Sequence, residues 1–311
     1  MKRLHSAIVA ATSLAAVAAA AAAAMHFSPW STAQRIDQIA GWSAELNTAA
    51  QDGCPVESPD GLSLYMASNR PGGMGLLDIW VAHRASMDAP FGAPENLGAP
   101  INSEADDFCP TPVRGGGLFF VSRRAGPDAC GLGDIFFSRL NRVHGWSDPD
   151  RLACAPAGPN SALDEQGPSY VEGGAASLYF SRSSGGVPGD IYVSQLEDGG
   201  FGPGSPVVEL NSAGNDIQPN VRKDGLEIVF SSNYAYAGAR GAQDVYAATR
   251  DDVSDTWSQP VNLGEAVNTA EAETRPSLSW DAQRLLFGRA PVGGPGDIYL
   301  STRAKVKDAG A

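Results

Sequence analysis

Histidine is scarce in this 311-residue sequence, and none of its four histidines lies at the spacing of a metal-ligand set. The chain has no G-x-S-x-G segment, which argues against hydrolases built on that nucleophile elbow. The four cysteines include no C-x-x-C pair, so a zinc site made of cysteine thiolates is not expected. One glycine-rich run, RPGGMG at 70–75, lies between two expected strands rather than at the start of a helix, which argues against a phosphate-binding loop.

Positive charge is also in short supply. The chain has 22 lysines and arginines against 35 aspartates and glutamates, and its formal net charge is −13. Because a nucleic-acid binder must neutralise phosphates with Lys or Arg, no nucleic-acid partner is expected. An acidic balance of this size suits an exported protein or one with a cationic partner.

Long apolar runs are absent after residue 24, so no membrane span is expected there, since a span needs about 20 apolar residues. Residues 1–24 begin with Lys2 and Arg3 and continue as an alanine-rich apolar stretch, which predicts a secretory signal peptide cleaved near Ala24. A membrane anchor is the alternative. A lipid anchor is not indicated, because no cysteine follows the stretch. We therefore expect a periplasmic or secreted protein.

The most prominent feature of the sequence is a nine-residue frame that occurs five times. It begins Asn-Ser or Asn-Thr, carries an acid five residues after the Asn, and ends on Pro. The copies are NTAAQDGCP (47–55), NSEADDFCP (102–110), NSALDEQGP (160–168), NSAGNDIQP (211–219) and NTAEAETRP (268–276). The five acids, called the frame acids below, are Asp52, Asp107, Glu165, Asp216 and Glu273.

Each frame is followed by the same series of segments: a turn, an apolar strand, a Gly-rich loop, and a strand that opens with Asp. These opening residues recur every 53–56 positions and are Asp78, Asp134, Asp190, Asp244 and Asp297. A fourth segment then opens with an aromatic residue and leads to the next frame. A period of this length with four short strands is typical of a β-propeller blade. The sequence therefore predicts an all-β fold, a five-bladed β-propeller over residues 25–311.

The ring is expected to be closed by the N-terminal segment. The fifth unit stops after its third strand, while a copy of the missing fourth segment, from Trp30 to Ile36, precedes the first frame. Residues near 28–40 are therefore expected to pair with residues near 297–303, which leaves no open sheet edge. An open array is the alternative. The expected blades are 47–101, 102–159, 160–210, 211–267 and 268–303, with 25–46 as the outer strand of the fifth and 304–311 as a tail.

The segments SPDGLSLYMASNRPGGMGLLDIW and RKDGLEIVFSS…QDVY resemble TolB-type, WD40-like propeller repeats of the PD40 kind. The SPDG turn, the Ser-x-Arg after the second strand and the DI-aromatic start of the third strand carry the match. The resemblance covers nearly all of the chain after residue 24. It implies an interaction platform, because such propellers are mainly binding proteins and only occasionally enzymes.

Two interpretations of the frame acids stay open. Strand direction alternates, so the frame acids and the Gly-rich loops are expected on one face, at the mouth of the channel. In the structural interpretation, each acid accepts hydrogen bonds from its own turn or pairs with an Arg. In the functional one, the ring of acids binds Ca²⁺, an amine or a sugar. No acid stands out in the sequence as the odd carboxylate that an acid–base pair needs.

The same face is expected to carry the other candidate binding residues. Its arginines come from four blades, and the longest loop of its class, 233–243, adds tyrosines and an Arg, which are favoured in binding hot spots. The set is Arg70, Arg124, Arg182, Arg289, Tyr234, Tyr236 and Arg240.

An even number of cysteines in an exported chain predicts two disulfides. Cys130 and Cys154 lie in segments of the second blade that are expected on one face, and we expect them to be bonded. Cys54 and Cys109 occupy equivalent positions in adjacent frames. A bond between them requires close inner strands, because a disulfide needs Cα atoms within about 4.4–6.8 Å.

Taken together, these features predict a non-catalytic binding module without a cofactor, whose protein or carbohydrate partner in the cell envelope docks at the channel-mouth face. The alternative is a carbohydrate-active hydrolase or lyase that uses carboxylates at the channel mouth, by analogy with five-bladed propeller glycosidases. A scaffold without a small ligand is a third possibility. An enzyme is expected to show asymmetric carboxylates, with at least one buried acid beside no Arg.

Overall fold

A computed structural model of the chain describes residues 26–172, 176–184 and 186–306. Within this part, five antiparallel sheets of four or five strands are arranged as the blades of a ring, which confirms the predicted five-bladed β-propeller. The predicted signal peptide, residues 1–24, lies outside the described residues. Across the described ranges, no helix is long and apolar enough to cross a membrane.

Each blade runs from an inner strand at the channel to an outer strand at the rim. The inner strands are Asp52–Glu57, Asp107–Val113, Asp164–Val171, Asp216–Val221 and Ala272–Leu278, which define blades 1 to 5. The second strands are Ser63–Ser68, Gly117–Ser122, Ser177–Ser184, Glu227–Ser232 and Arg284–Ala290. The third strands are Asp78–His83, Asp134–Asn141, Val187–Glu197, Asp244–Thr249 and Asp297–Thr302. The fourth strands are Glu95–Asn96, Asp150–Arg151, Ser205–Pro206, Val261–Asn262 and, in blade 5, Gln34–Arg35.

The remaining elements are short. Blades 2 and 3 each extend their third strand by a hairpin, through Gly145–Trp146 and Gly200–Phe201. The two ends of the described chain pair as His26–Phe27 with Lys305–Val306. Two 3₁₀ helices, Ile36–Gln38 and Ala44–Leu46, connect the closing strand to blade 1.

The N-terminal segment closes the ring as predicted. Gln34 pairs with Leu300 and Arg35 pairs with Tyr299, so a strand from the start of the chain completes the last blade. The segment also enters the core, because Ile36 and Leu46 are fully buried in a cluster with Leu64. Closure therefore involves both a β-ladder and burial of apolar side chains between blades 5 and 1.

The Asn that opens each frame ties the segment before an inner strand to the third strand of the preceding blade. In blade 2, the amide of Asn102 donates to the carbonyl of Ile79 at 2.9 Å and accepts from the N–H of Ile79 at 2.9 Å. The same double contact to a third strand is made by Asn47, Asn160, Asn211 and Asn268. This buried amide explains why the frame begins with Asn in every blade.

Candidate functional site

The frame acids are held by their own turns. In blade 1, the Asp52 carboxylate accepts from the backbone N–H of Thr48 at 2.6 Å and from its hydroxyl at 2.8 Å. The equivalent Ser or Thr, four residues before the acid, makes the same two contacts in each of the other blades. All five acids are 0 % exposed. A ligand in the channel therefore meets other residues first.

Four of the frame acids are also paired with an arginine of the same blade, and the length of the acid decides where that arginine lies. Asp52 lies opposite Ser68 in the ladder, and its ion pair at 2.6 Å comes from Arg70, two residues further on. Glu165 lies directly opposite its partner Arg182, at 2.7 Å. The longer Glu side chain thus reaches the cross-strand position, while Asp needs an Arg that reaches back.

The same rule holds in blades 2 and 5. Asp107 pairs with Arg124 at 2.7 Å, and Glu273 pairs with Arg289 at 2.7 Å. Burial raises the pKa of Glu165 and of Glu273, and their hydroxyl, backbone and Arg contacts oppose that rise. These ion pairs confirm the structural interpretation of the frame acids in four blades, and they occupy Arg70, Arg124, Arg182 and Arg289.

Blade 4 is the exception, and Asp216 is the odd carboxylate that the sequence did not reveal. Its second oxygen accepts from the Ser232 hydroxyl at 2.5 Å, and no Arg pairs with it among the described residues. Burial, together with the charge of Asp216, raises the pKa of Asp190 in the neighbouring blade. Among the described residues, Asp216 is therefore the one frame acid without an ion-paired arginine, and its charge acts on Asp190 of blade 3.

The long loop of blade 4 lies beside Asp216, whose charge acts on Tyr236 of that loop. Tyr236 is half-buried, and its ring packs between Tyr234 and Tyr246 at centroid distances of 4.6 and 5.1 Å. Tyr234 is 41 % exposed, and the guanidinium of Arg240 forms an ion pair with the exposed Glu265 at 3.5 Å. Of the loop residues predicted to bind, Tyr234 and Arg240 present free surface and Tyr236 is mainly a packing residue.

The Asp residues that open the third strands brace the loops before them. Asp244 accepts from the N–H groups of Arg240 at 2.6 Å and Gly241 at 3.0 Å. Asp134 accepts from Cys130 at 3.0 Å, and Asp297 forms an ion pair with Arg35 of the closing strand at 2.7 Å. Asp78 holds the N–H of Gly75 at 3.2 Å.

The frame acids are not expected to bind calcium, because all five are fully buried and four of them are already paired with arginine. Millimolar CaCl₂ is therefore expected to leave the melting temperature unchanged, within about 1 °C, because only a ligand of the native state stabilises it. A rise that EDTA reverses would contradict this expectation.

One of the two predicted disulfides is present. Cys130 and Cys154 are bonded, with Cα atoms 5.5 Å apart, as the shared face of their segments predicts. The predicted Cys54–Cys109 disulfide is wrong for this structure, in which both residues are free thiols. Their sulfurs do meet, at 3.0 Å, so the inner strands of blades 1 and 2 approach as closely as the prediction required. The separation exceeds the 2.03–2.05 Å of a disulfide, although it is shorter than the van der Waals separation of two sulfur atoms.

A groove between blades 2 and 3 was missed by the sequence analysis. It has a volume of about 500 Å³, and its wall contains the rings of Phe119, Phe137, Tyr170 and Phe201. The ring of Phe119 lies 4.6 Å from Phe137, 5.5 Å from Tyr170 and 5.8 Å from Phe201. We call this cavity the aromatic groove.

The rim of the aromatic groove is polar and mainly basic. Arg114, Arg139 and Glu172 are exposed there, and the Arg139 guanidinium lies 5.0 Å from the Phe137 ring centroid. A cavity of roughly 300–1,000 Å³ with an apolar wall and a few polar groups is the usual form of a small-ligand site. The aromatic groove fits that description.

A break in the repeat could have revealed the aromatic groove. Phe137 pairs with Phe119 in the ladder, and the residues equivalent to Phe137 in the other blades are all aliphatic: Val81, Val193, Ala247 and Leu300. Tyr170, two residues after the frame Pro, likewise has no aromatic counterpart: Glu57, Pro112, Val221 and Leu278. Phe137 and Tyr170 thus depart from the repeat in adjacent blades, and both line the same cavity.

No protein-family model matches the chain, and no curated protein matches it in sequence. Among solved structures, it is similar to an α-L-arabinofuranosidase from Lactobacillus brevis, at 11 % identity and a TM-score of 0.52, over 84 % of this chain and 93 % of that one. It is also similar to the GH43 endo-arabinanase from Bacillus licheniformis, at 13 % identity and a TM-score of 0.52, over 84 % of this chain and 96 % of that one.

TolB from Acinetobacter baumannii also matches, at 15 % identity and a TM-score of 0.42, over 80 % of this chain and 53 % of that one. This alignment is too weak to carry an argument, so the TolB-type resemblance of the repeats is unconfirmed. At such identities, the similarity to the arabinan-active structures shows the fold alone. The chain is therefore a five-bladed β-propeller of a fold that it shares with GH43 glycoside hydrolases.

Proposed function

We propose that this protein is an exported, non-catalytic carbohydrate-binding propeller whose ligand lies in the aromatic groove between blades 2 and 3. The observation that carries the proposal is the wall of four aromatic rings beside a polar rim. Aromatic faces accept the apolar faces of sugar rings, and the rim supplies donors and an acceptor for hydroxyl groups: Arg114, Arg139 and Glu172.

The size of the groove favours a small ligand over a protein partner. A protein–protein interface buries about 1,200–2,000 Å² of surface, usually on a flat patch, whereas this site is a concave cavity of about 500 Å³. An oligosaccharide of the cell envelope fits both the cavity and the expected export of the chain. The Cys130–Cys154 disulfide supports export, because disulfides persist in oxidising compartments.

The state of the frame acids argues against catalysis in the channel. Hydrolysis of a glycosidic bond requires two carboxyl groups that reach the same bond, about 5–9.5 Å apart. The frame acids are fully buried and hydrogen-bonded, and four of them are neutralised by arginine. An α-L-arabinofuranosidase and an endo-arabinanase share this fold, and from them we adopt only carbohydrate as the class of ligand.

A hydrolase is the second candidate. The similarity in fold to an α-L-arabinofuranosidase and an endo-arabinanase supports it better than it supports a binding module, and one observation at the site also favours it. Asp190 and Asp216 meet the expectation for an enzyme, since Asp216 is buried beside no Arg and Asp190 has a raised pKa. In this reading, Asp190 is the proton donor at the boundary of blades 3 and 4, under the Tyr234–Tyr236 loop. Because Asp216 is fully buried, the hydrolase is the weaker of the two proposals.

We expect Tyr170→Ala and Arg139→Ala to weaken binding of oligosaccharides at least about tenfold, because each removes one wall or rim contact of the groove. The measurement is calorimetric titration with arabinan, xylan and uronate-containing oligosaccharides. Tyr234→Ala, on the opposite face, is the matched control and is expected to bind as the unaltered chain does.

The outcomes separate the two candidates. Loss of binding in Tyr234→Ala but not in Tyr170→Ala would move the site to the face of the frame acids. Release of reducing ends from the same glycans, abolished by Asp190→Asn, would establish the hydrolase in place of the binding module. Binding by no glycan in the set would overturn the proposal.

A further inference from the structure

The centre of the channel is built from one residue of each inner strand. At the position before the frame Pro, each inner strand has a bulge whose residue takes a left-handed backbone, with φ between 49° and 62°. The five residues are Cys54, Cys109, Gly167, Gln218 and Arg275. A left-handed backbone costs conformational energy in residues other than glycine. The channel centre nevertheless holds four non-glycine residues in it, which indicates that their positions matter.

The two cysteines of this set are in contact but are not equivalent. Their sulfurs are 3.0 Å apart, although they come from different blades and lie 55 residues apart in the chain. Cys54 keeps accessible surface, whereas Cys109 is 0 % exposed. A small molecule in the channel is therefore expected to reach Cys54 before Cys109.

Arg275 places a positive charge beside the thiols. Its side chain is 5 % exposed, its Nη1 atom has no hydrogen-bond acceptor, and among the described residues no carboxylate forms an ion pair with it. Gly167 makes room for it, because a Cβ atom there would lie 2.2 Å from Nη1. A buried guanidinium without an anion is unfavourable, and a cysteine thiolate is the anion that this channel can supply.

The pKa values of the two cysteines are shifted in opposite directions, and this difference gives each sulfur its own role. The hydrogen bond from the Cys109 thiol, helped by the charge of Arg275, lowers the pKa of Cys54 to about 7. Burial, followed by the neighbouring Cys54, raises the pKa of Cys109 well above its usual value. Near neutral pH, Cys54 therefore supplies the thiolate while Cys109 keeps its proton, which is the arrangement of an attacking and a resolving thiol.

We propose that Cys54, Cys109 and Arg275 form a redox-active dithiol site in the channel that exchanges with low-molecular-weight disulfides. The Cys54 thiolate attacks one sulfur of the small disulfide, forms a mixed disulfide and releases the first small thiolate. Cys109 then gives up its proton and attacks the Cys54 sulfur, which releases the second. The protein loses two electrons and two thiol protons, the small disulfide becomes two thiols, and the new Cys54–Cys109 bond joins blades 1 and 2.

The test uses the full chain, reduced with dithiothreitol, freed of it, and exposed to oxidised glutathione. Non-reducing peptide mapping then follows the Cys54–Cys109 pair and the Cys130–Cys154 pair separately. We expect a 54–109 crosslink in the unaltered chain. Cys109→Ala is expected to stop at a glutathione adduct on Cys54, whereas Cys54→Ala is expected to react far more slowly, because Cys109 is buried.

The role of Arg275 is read from the pH dependence of the initial rate. The unaltered chain is expected to reach a plateau above about pH 7, in keeping with the pKa of Cys54. Arg275→Gln is expected to move the inflection to higher pH and to slow the reaction at pH 7 about threefold, since the loss of thiolate is partly offset by greater nucleophilicity. Arg275→Lys keeps the charge and is expected to restore the inflection.

Three results would overturn the site. The first is that the thiols stay unreacted in the folded chain while those of the urea-unfolded chain react. The second is that Cys109→Ala forms no glutathione adduct. The third is that Arg275→Gln leaves the pH inflection of the initial rate unchanged. Glycan binding lies in a different cavity, so its presence or absence leaves this conclusion unaffected.

Discussion

A chain that begins at residue 47 is expected to aggregate, or to melt about 10 °C or more below a chain that begins at residue 25. The missing segment contains the fourth strand of blade 5, which pairs with Tyr299 and Leu300. Without it, the third strand Asp297–Thr302 has a row of unpaired backbone N–H and C=O groups, and an exposed strand edge promotes association between chains.

The loss of packing adds to the loss of the ladder. Ile36 and Leu46 are fully buried, and each such side chain contributes about 1.5–3 kcal/mol. Together they account for a large part of a total stability that is about 5–15 kcal/mol for most domains. The truncation also removes the carbonyls of Glu45 and Leu46, which accept from Arg70 at 2.6 and 3.4 Å.

The chain that begins at residue 25 controls for the loss of residues 1–24. Ile36→Ala separates packing from pairing, because it keeps the ladder and is expected to stay monomeric while losing about 2–5 kcal/mol. Light scattering measures the association state of each chain, and thermal melts measure its loss of stability. A chain from residue 47 that is monomeric and melts with the control would show that the ring does not need its N-terminal strand.

The fold was predictable because its determinants are local and repeated. Five copies of a turn signal and of an apolar strand define the blades, and counting the segments was enough to place Gln34–Arg35 in the last blade. The pairing of Cys130 with Cys154 also followed, since both lie in loops of one blade.

The site was less predictable, because it depends on contacts between blades. The period identifies positions but does not show which positions meet. Phe137 and Tyr170 depart from their repeats in different blades, and only the packing of blade 2 against blade 3 brings them together. The channel centre has the same character, since Cys54, Cys109 and Arg275 are far apart in the chain and meet where three inner strands converge.

Arg70→Met is expected to lower the free energy of unfolding by about 3 kcal/mol or more, the second large effect. Arg70 is buried, and its guanidinium donates to Asp52, Glu45 and Leu46. Methionine keeps much of the volume but leaves the fully buried Asp52 carboxylate without a cation, and breaking one half of a buried pair costs about 3–5 kcal/mol. At roughly 2–4 °C per kcal/mol for a domain of this size, the melting temperature is expected to fall about 6–12 °C.

Blade 4 indicates why the loss should lie near the lower limit. There the Ser232 hydroxyl donates to Asp216 at 2.5 Å in the absence of an arginine. Its counterpart Ser68 accepts from Arg70 Nε at 2.9 Å, and it becomes free to donate to Asp52 once Arg70 is replaced. Asp52→Asn in the Arg70→Met background removes the stranded charge and is expected to recover part of the stability.

The pH dependence distinguishes a stranded charge from a simple packing defect. Without its cation, the buried Asp52 carboxylate is uncompensated, and burial disfavours its charged form, so binding of a proton relieves the penalty. The penalty of Arg70→Met is therefore full at neutral pH and shrinks as the pH falls. Urea titrations at pH 7 and at about pH 4.5 measure this difference, and Arg240→Met, whose pair with Glu265 is exposed, is the control expected to stay within about 1 kcal/mol. An equal loss for Arg70→Met at both pH values would mean that the arginine stabilises the blade through its contacts with Glu45 and Leu46 and not by neutralising Asp52.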